Sequence, residues 1–477
     1  MTVIPLRPGA SPLSADDVAY LARRLEGVVL LPEDLGYAAE CATFNQAVTY
    51  RPLAVIGAEN AEDVRITVDF ARRRGLPIGV KATGCGPSRP ADGALLINTR
   101  RMNNVAVDLD TPSVRVEAGV QWRKVIDAAA PFGLAPLSGS SPEVGVVGYT
   151  LGGGLSPVLG RAKGWAADHV RSIELVTSDG VLRRIGPDRE EDLFWAIRGG
   201  KGNFGVVTAI EFDLFELPRL FGGGLFFDGE YASDVLHAYR YWVATMPEDM
   251  SSSVALLRLP ALPTVPQPLQ GRFVVHLRVA YAGPAEEGER LVAPMRVLGP
   301  TIMDTVREMR PSAVGTIHND TTTPANIYDA AAELRELTPE AIDVVLRLAG
   351  PDSESPLRVV EVRHLGGALR REPGVPNAVG GRDAEFQVFA AGVGEPDRAS
   401  ALYARADEIV YALGRWWADG INLNYLLARD VRANSVRRAY DQDTYDRLVL
   451  VKKIYDPDNM FRVNHNIAPS RRPHPDF

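Results

Sequence analysis

The chain has 477 residues, 46% hydrophobic and 23% charged, a length suited to two or occasionally three domains rather than one ordinary core. Its 52 basic and 60 acidic residues leave a net charge of -8, and no basic run exceeds Arg72–Arg74, which argues against a nucleic-acid partner. The first twenty residues lack a basic region leading into an apolar core, and no window approaches about 18 uninterrupted apolar residues. The expectation is a protein of the cytoplasm with no membrane partner, and two cysteines, Cys41 and Cys85, do not suggest a disulfide framework.

In chain order, Ser14 to Asp17 reads as a capping box that starts a helix, and "ENAEDVRITVDFARRRG" as a second amphipathic helix closed by Gly75. Around them lie short β-rich runs, "LAVIG", "PIGVKATG", "ALLINT", "VAVDLD" and "SVRVEAG". "QWRKVIDAAAPFG" is helical, "SIELVTSDGVLRRIG" a hairpin turning at Asp179-Gly180, "EDLFWAIRGG" helical and "VVTAIEFDLF" a strand. From about Phe221 to Gly420 the texture changes to a second domain, with helices expected at "SDVLHAYRYWVATM", "ERLVAPMRVLG" and "NIYDAAAELREL" and strands between them. No repeat of fixed period is visible, and the polar, aromatic "YDPDNMFRVNHNIAPS" near the C-terminus is too ordered in composition for a frayed tail.

Spacing removes several chemistries. The seven histidines never pair as HxH or HExxH, so no metal site is expected, and Glu361 with His364 in "EVRH" alternates like a strand. There is no GxSxG elbow. The formal GxGxxG at Gly200 to Gly205 runs from helix into strand, the reverse of a Rossmann turn. What remains is three glycine-rich loops, "TGCGPS" (83–88), "GVVGYTLGGGLS" (145–156) and "GGKGNFG" (199–205). Glycine clusters occur where backbone takes positive φ or approaches a ligand, and successive bare amides bind anions. Three such stretches in neither Rossmann nor P-loop order point to a flavin dinucleotide more than to a nicotinamide one.

These stretches, with "VRVEAGVQWRKV", "RHLGGALRR", "GGRDAEFQV" and "YDRLVLVKKIYDPDNMFRVNHNIAP", follow one another as in the FAD-linked oxidases of the vanillyl-alcohol oxidase superfamily, and the chain resembles their berberine-bridge-enzyme-like branch over nearly its whole length. The resemblance implies an α+β protein: a PCMH/VAO-type FAD-binding domain of two α/β subdomains, formed by residues 1–215 and 415–477, around a substrate domain, 216–414, with an antiparallel sheet covered by helices. It places FAD against Lys81, Thr83, Gly84, Cys85, Gly86, Pro87 and Ser88; against Gly139, Ser140, Ser141, Gly145, Gly148, Tyr149, Gly152 and Gly153; and against Gly202, Asn203, Gly205, Val207, Tyr425, Asn464 and Asn466.

Members of this branch often tether FAD through a histidine in the first glycine loop and a cysteine before the second; here those positions are Cys85 and Ser141. Three roles are open to Cys85: a replacement tether, a small apolar residue at the flavin edge, or a disulfide partner of Cys41. In "INLNYLLARD", alternation puts Leu423, Tyr425 and Leu427 on one face of an expected strand and Asn422 and Asn424 on the other. The resemblance makes Tyr425 the tyrosine that faces the substrate near flavin N5, although a second tyrosine carried by some relatives after the glycine triplet is here Leu155. The implied activity is removal of a hydride from a small secondary-metabolite-type alcohol or an activated C–H or C–N bond, with electrons passed to dioxygen, by a monomer or homodimer. A net redox-neutral cyclisation or isomerisation on non-covalent FAD is the alternative, and a binding protein without turnover a third.

Overall fold

The computed structural model describes residues 13–86, 89–426 and 429–469. Strands β1 (Val28–Leu30), β2 (Ala54–Gly57), β3 (Ile78–Lys81) and β4 (Leu95–Asn98) form a sheet in the order β1-β2-β4-β3, with β2 and β3 parallel to β4. Parallel neighbours need a crossover, and the helix Ala61–Arg74 supplies one between β2 and β3. It begins where the Asn60 side chain accepts the Asp63 amide (3.0 Å) and ends at Gly75, whose φ of 64° a side chain would resist. The capping box at Ser14 starts the helix Ala15–Arg24 as the sequence suggests.

A second sheet contains β5 (Val105–Asp108), β6 (Ser113–Glu117), β8 (Val170–Val176), β9 (Leu182–Ile185) and β10 (Val206–Asp213) in the antiparallel order β5-β6-β10-β8-β9; β7 (Leu134–Ala135) and β11 (Phe215–Glu216) pair beside it. Its core includes Val114, Trp122 and Phe194 from the first half of the chain and Leu423, Tyr440 and Leu448 from the last sixty residues. The two ends of the chain thus share one interior.

The largest sheet is antiparallel throughout. It comprises β12 (Leu220–Asp228), β13 (Met250–Arg258), β14 (Phe273–Tyr281), β15 (Thr301–Asp304), β16 (Arg307–Met309), β17 (Ile327–Leu334), β18 (Val359–His364) and β19 (Phe386–Val393), in the order β15-β12-β14-β13-β18-β19-β17 with β16 also paired to β12. Leu225, Leu277, Val254, Val362, Val388 and Ala332 stand side by side across six strands on one face. That face is dry, covered by the helices Ala232–Val243, Ala285–Arg296, Pro339–Ala349 and Ala399–Ala412.

Three local expectations are corrected. "NIYDAAAELREL" is the strand β17, not a helix: ladder pairing with β19 overrides the helix propensity of its alanines and places Tyr328, Ala330, Ala332 and Leu334 in the core. The second glycine stretch opens with a short helix, Val146–Leu151. Leu423–Tyr425 is a 3-10 turn rather than a strand, because the Asn422 side chain accepts the Asn424 amide (2.8 Å) and caps it; Leu427 lies outside the described residues. No helix among the described residues is long and apolar enough to cross a membrane, and Cys41 and Cys85 are both free thiols.

Candidate active site

The three glycine stretches converge. The carbonyls of Thr83 and Gly84, just past β3, are held by the amides of Phe44 (3.1 Å) and Asn45 (3.2 Å). A Cβ on Gly145 would stand 3.5 Å from Thr83 Oγ1, so the first and second stretches touch. A Cβ on Gly152 would meet Asn424 Oδ1 at 2.1 Å and Lys201 Cε at 2.3 Å; the second stretch, the third and the turn carrying Tyr425 therefore meet at one bare backbone position. Gly153, at φ 116°, continues that bend beside Asn422. Asn464 Nδ2 donates to the Gly202 carbonyl (3.2 Å) and ties the C-terminal segment to the same place.

One glycine of each stretch faces away from the protein. Chain neighbours and local helix backbone aside, no heavy atom of the described residues lies within 4 Å of where a Cβ on Gly86, Gly148 or Gly202 would stand. Packing of the protein on itself does not require these glycines; they leave open space beside bare backbone, as a closely approaching anionic ligand needs. Asn464 Oδ1 and Asn466 Oδ1 are buried acceptors without a partner among the described residues, which a bound ligand would satisfy. FAD, a diphosphate-bearing dinucleotide, fits this cradle. Gly148→Val is expected to leave the melting temperature of the apoprotein within a few degrees of the parent while weakening FAD binding about tenfold or more in a fluorescence titration. Equal FAD affinity would remove Gly148 from the cradle.

Other residues named from the sequence turn toward the protein. Lys81 is buried and its ammonium donates to the Ala42 carbonyl (2.8 Å). Asn203 is an internal clasp: Nδ2 donates to the carbonyls of Gly200 (2.9 Å) and His465 (3.0 Å), and Oδ1 accepts the Ile467 amide (2.8 Å). Gly205 backs onto the Val176 carbonyl, Val207 is buried in β10, and Gly139 lies under the Tyr149 ring. Ser140 and Ser141 are partly exposed, Ser141 Oγ accepting the Glu143 amide (3.4 Å), while Pro87 and Ser88 lie outside the described residues.

The second face of the large sheet is polar. Across the strands Arg278, Ser253, Arg363, Gln387 and Glu333 stand opposite one another, with Glu361 two residues before Arg363 on the same face. Glu361 lies between Arg363 (2.9 Å) and Arg278 (3.0 Å). Burial opposes its ionisation, but the two guanidinium groups outweigh it and hold the carboxyl well below its usual range. Burial pushes Glu333 up to about 7; its Oε1 accepts Gln387 Nε2 (3.0 Å) and the Asn422 amide (3.1 Å), so it props the turn that carries Tyr425.

Tyr425 meets this face at Arg363, whose Nη1 donates to the phenolic oxygen at 2.7 Å. Burial keeps the Tyr425 pKa above its ordinary value, and the Arg363 charge offsets this only in part. Asn424 Nδ2 donates to the Tyr149 carbonyl (2.8 Å), fixing the turn to the second glycine stretch. The Tyr149 hydroxyl is buried without a partner among the described residues, its pKa held well above the ordinary value first by burial and then by the Tyr425 oxygen. Cys85 is partly exposed, and desolvation together with Asp320 and Asp329 pushes its thiol up to about 11.

No motif marks Arg278, Glu333, Arg363 or Gln387, yet the runs "FVVHLRVAY" and "VVEVRH" carry a signal for Arg278, Glu361 and Arg363: charges at alternate positions of otherwise apolar strands mark a sheet with one polar face.

A glycine cradle, a charged sheet face and a tyrosine between them meet at one place, and the comparisons with known proteins make the chain an FAD-linked oxidoreductase. The family model described as FAD binding domain matches residues 52–186, and that described as berberine and berberine like matches residues 423–468. The chain is 28% identical over 480 aligned positions to (R)-6-hydroxynicotine oxidase of Paenarthrobacter nicotinovorans, covering 93% of this chain and 97% of the relative. The crystal structure of 6-hydroxy-D-nicotine oxidase from Arthrobacter nicotinovorans superposes with a TM-score of 0.82 at 26% identity, over 98% of this chain and 100% of that one. Xylooligosaccharide oxidase from Myceliophthora thermophila shares the fold, with a TM-score of 0.82 at 20% identity over 95% and 100% of the two chains. The chain is an FAD-linked oxidoreductase, similar over nearly its whole length to oxidases of the berberine-bridge-enzyme-like kind.

Proposed function

We propose that this enzyme is an oxidase that removes a hydride from a carbon bearing a hydroxyl or amino group of a small secondary-metabolite-type molecule, with Tyr425 taking or sharing the proton released from the heteroatom. Bound FAD supplies the hydride acceptor and passes the electrons to dioxygen. The observation that carries the reading is the 2.7 Å hydrogen bond from Arg363 to Tyr425 on the sheet face that meets the glycine cradle. A phenol ionises near pH ~10 in water, so it can take a proton only where a cation stabilises the phenolate. Arg363 is that cation: it opposes the burial and the nearby Glu361 and Glu333 carboxyls that together keep the Tyr425 pKa above its ordinary value. Glu333 and Asn424 hold the turn in place so that this contact is kept. The name of the relative (R)-6-hydroxynicotine oxidase supports a net oxidation. With the correct substrate the enzyme should release one equivalent of peroxide per equivalent oxidised; turnover that consumes no dioxygen would favour the redox-neutral reading instead.

The division into an FAD-binding domain of residues 1–215 and 415–477 and a substrate domain of residues 216–414 is part of the same proposal, supported by the core that the two chain ends share.

Cofactor attachment follows from Cys85 and Ser141. A thiol pushed up to about 11 is almost wholly protonated at neutral pH and is a poor nucleophile, and the Ser141 hydroxyl cannot form a thioether. FAD is therefore expected to be non-covalent. Acid precipitation should leave it in the supernatant, and Cys85→Ser should retain bound FAD. A yellow pellet with flavin mass on the Cys85 peptide would overturn this.

A further inference from the structure

Lys201 stands in the middle of the third glycine stretch, and its backbone conformation is the first sign that its side chain has a task. Its φ is 52° with ψ -147°. Glu190 and Asn319 also have positive φ, but with ψ of 48° and 47° they occupy the ordinary left-handed basin. Positive φ combined with ψ near -150° is tolerated well only by glycine, and side chains found there cluster at ligand clamps. Glycines flank Lys201 on both sides, and a glycine in its place would carry no strain.

The side chain is also costly to keep. Desolvation lowers the Lys201 pKa to about 8, no charged group acts on it, and among the described residues the ammonium has no hydrogen-bond or ion-pair partner. The other lysines in this region are satisfied: Lys452 binds Asp456 (2.6 Å) and the Asn203 carbonyl (2.7 Å), and Lys81 binds the Ala42 carbonyl. Cε of Lys201 lies over Gly152 beside Asn424, so only a glycine at 152 allows the stem to cross. The next residue, Gly202, faces open space beside the cradle. A desolvated, partly exposed cation without a counter-ion among the described residues, in a cleft of bare backbone, suits an anion supplied from outside the chain.

We propose that Lys201 is a cofactor-directed cation whose ammonium pairs with negative charge on bound FAD. The inference rests on FAD occupying the glycine cradle. Two parts of FAD offer that charge: the diphosphate, permanently anionic, and the ring, which gains negative charge on reduction. Nearness to Asn424 and Tyr425 makes the ring relevant, since a flavin without covalent tethers lacks the electron withdrawal they would provide.

The test uses the full-length protein stripped of FAD, with Lys201→Met, which keeps the stem and removes the charge, and Lys201→Gly, which removes both charge and strain. FAD and ADP affinities are measured by titration of the apoproteins, and the reduction midpoint on the reloaded proteins. Pairing with the diphosphate predicts a tenfold or greater loss of both FAD and ADP affinity in Lys201→Met. Pairing with the ring predicts unchanged ADP affinity and a midpoint about 30 mV lower, which corresponds to tenfold weaker relative binding of the two-electron-reduced cofactor. Either result supports the proposal, and the apoprotein of Lys201→Gly should melt no lower than the parent. Parent-like FAD and ADP affinities with an unchanged midpoint, or a Lys201→Gly apoprotein that melts well below the parent, would overturn it. A parent protein that takes up no FAD at all would instead strike the cofactor assignment, which is a separable outcome.

Discussion

Tyr425→Phe is expected to slow substrate-driven flavin reduction about a hundredfold or more, the usual scale for a positioned acid or base, while the protein still folds and still binds FAD. The substitution removes one oxygen atom. Arg363 loses one acceptor but keeps Glu361 (2.9 Å) and Gln387 (3.3 Å), so no buried charge is stranded and the stability cost should be about 1 kcal/mol. The ring keeps its edge contact with Phe389, so packing of the turn survives. Anaerobic stopped-flow reduction compared with FAD content separates the two effects. A Phe variant that is reduced as fast as the parent would leave Tyr425 as an anchor of the turn and nothing more.

What the sequence conveys about this site depends on whether a residue's role is local. The glycine stretches are legible because positive φ and bare backbone leave a compositional mark, and the caps at Ser14 and Gly75 because capping is decided within four residues. Strand β17 is illegible because its alanines and glutamate favour a helix in isolation; only pairing with β19, about sixty residues further on, makes Glu333 a neighbour of Gln387. Tyr425 shows both sides of the matter. Its nearness to the cradle follows from motif order, but its orientation depends on a 3-10 turn capped by Asn422, which alternating hydrophobicity mimics over so few residues. Its charged partner Arg363 comes from a strand 62 positions earlier. Lys201 was in plain view in "GGKGNFG", yet a lysine among glycines reads as a solvated loop residue until its φ and ψ are known.

Arg363→Met should damage stability and catalysis together, and Arg363→Lys should pull the two apart. Glu361 is buried and sits between two cations, so removing Arg363 leaves it Arg278 at 3.0 Å and the His318 ring at 3.6 Å. Stranding a buried charge costs about 3–5 kcal/mol, and the surviving ion pair argues for the lower end, about 3 kcal/mol in a denaturant titration. The same change deprives the Tyr425 oxygen of its donor. With no cation to oppose burial, the phenol's pKa rises further, so the base becomes competent only at higher pH and the rising limb of the rate of flavin reduction against pH moves to the alkaline side. Lysine restores the charge beside Glu361 and should recover most of the stability. Its single ammonium cannot reproduce the fork that reaches Glu361, Gln387 and Tyr425 at once, so the reduction rate should remain about tenfold or more below the parent. Adding Glu361→Gln to Arg363→Met should cost further stability, since the buried Arg278 then loses its carboxylate, without returning the rate. An Arg363→Met protein with parental stability and an unmoved pH limb would separate Arg363 from both roles and leave the activation of Tyr425 to another group.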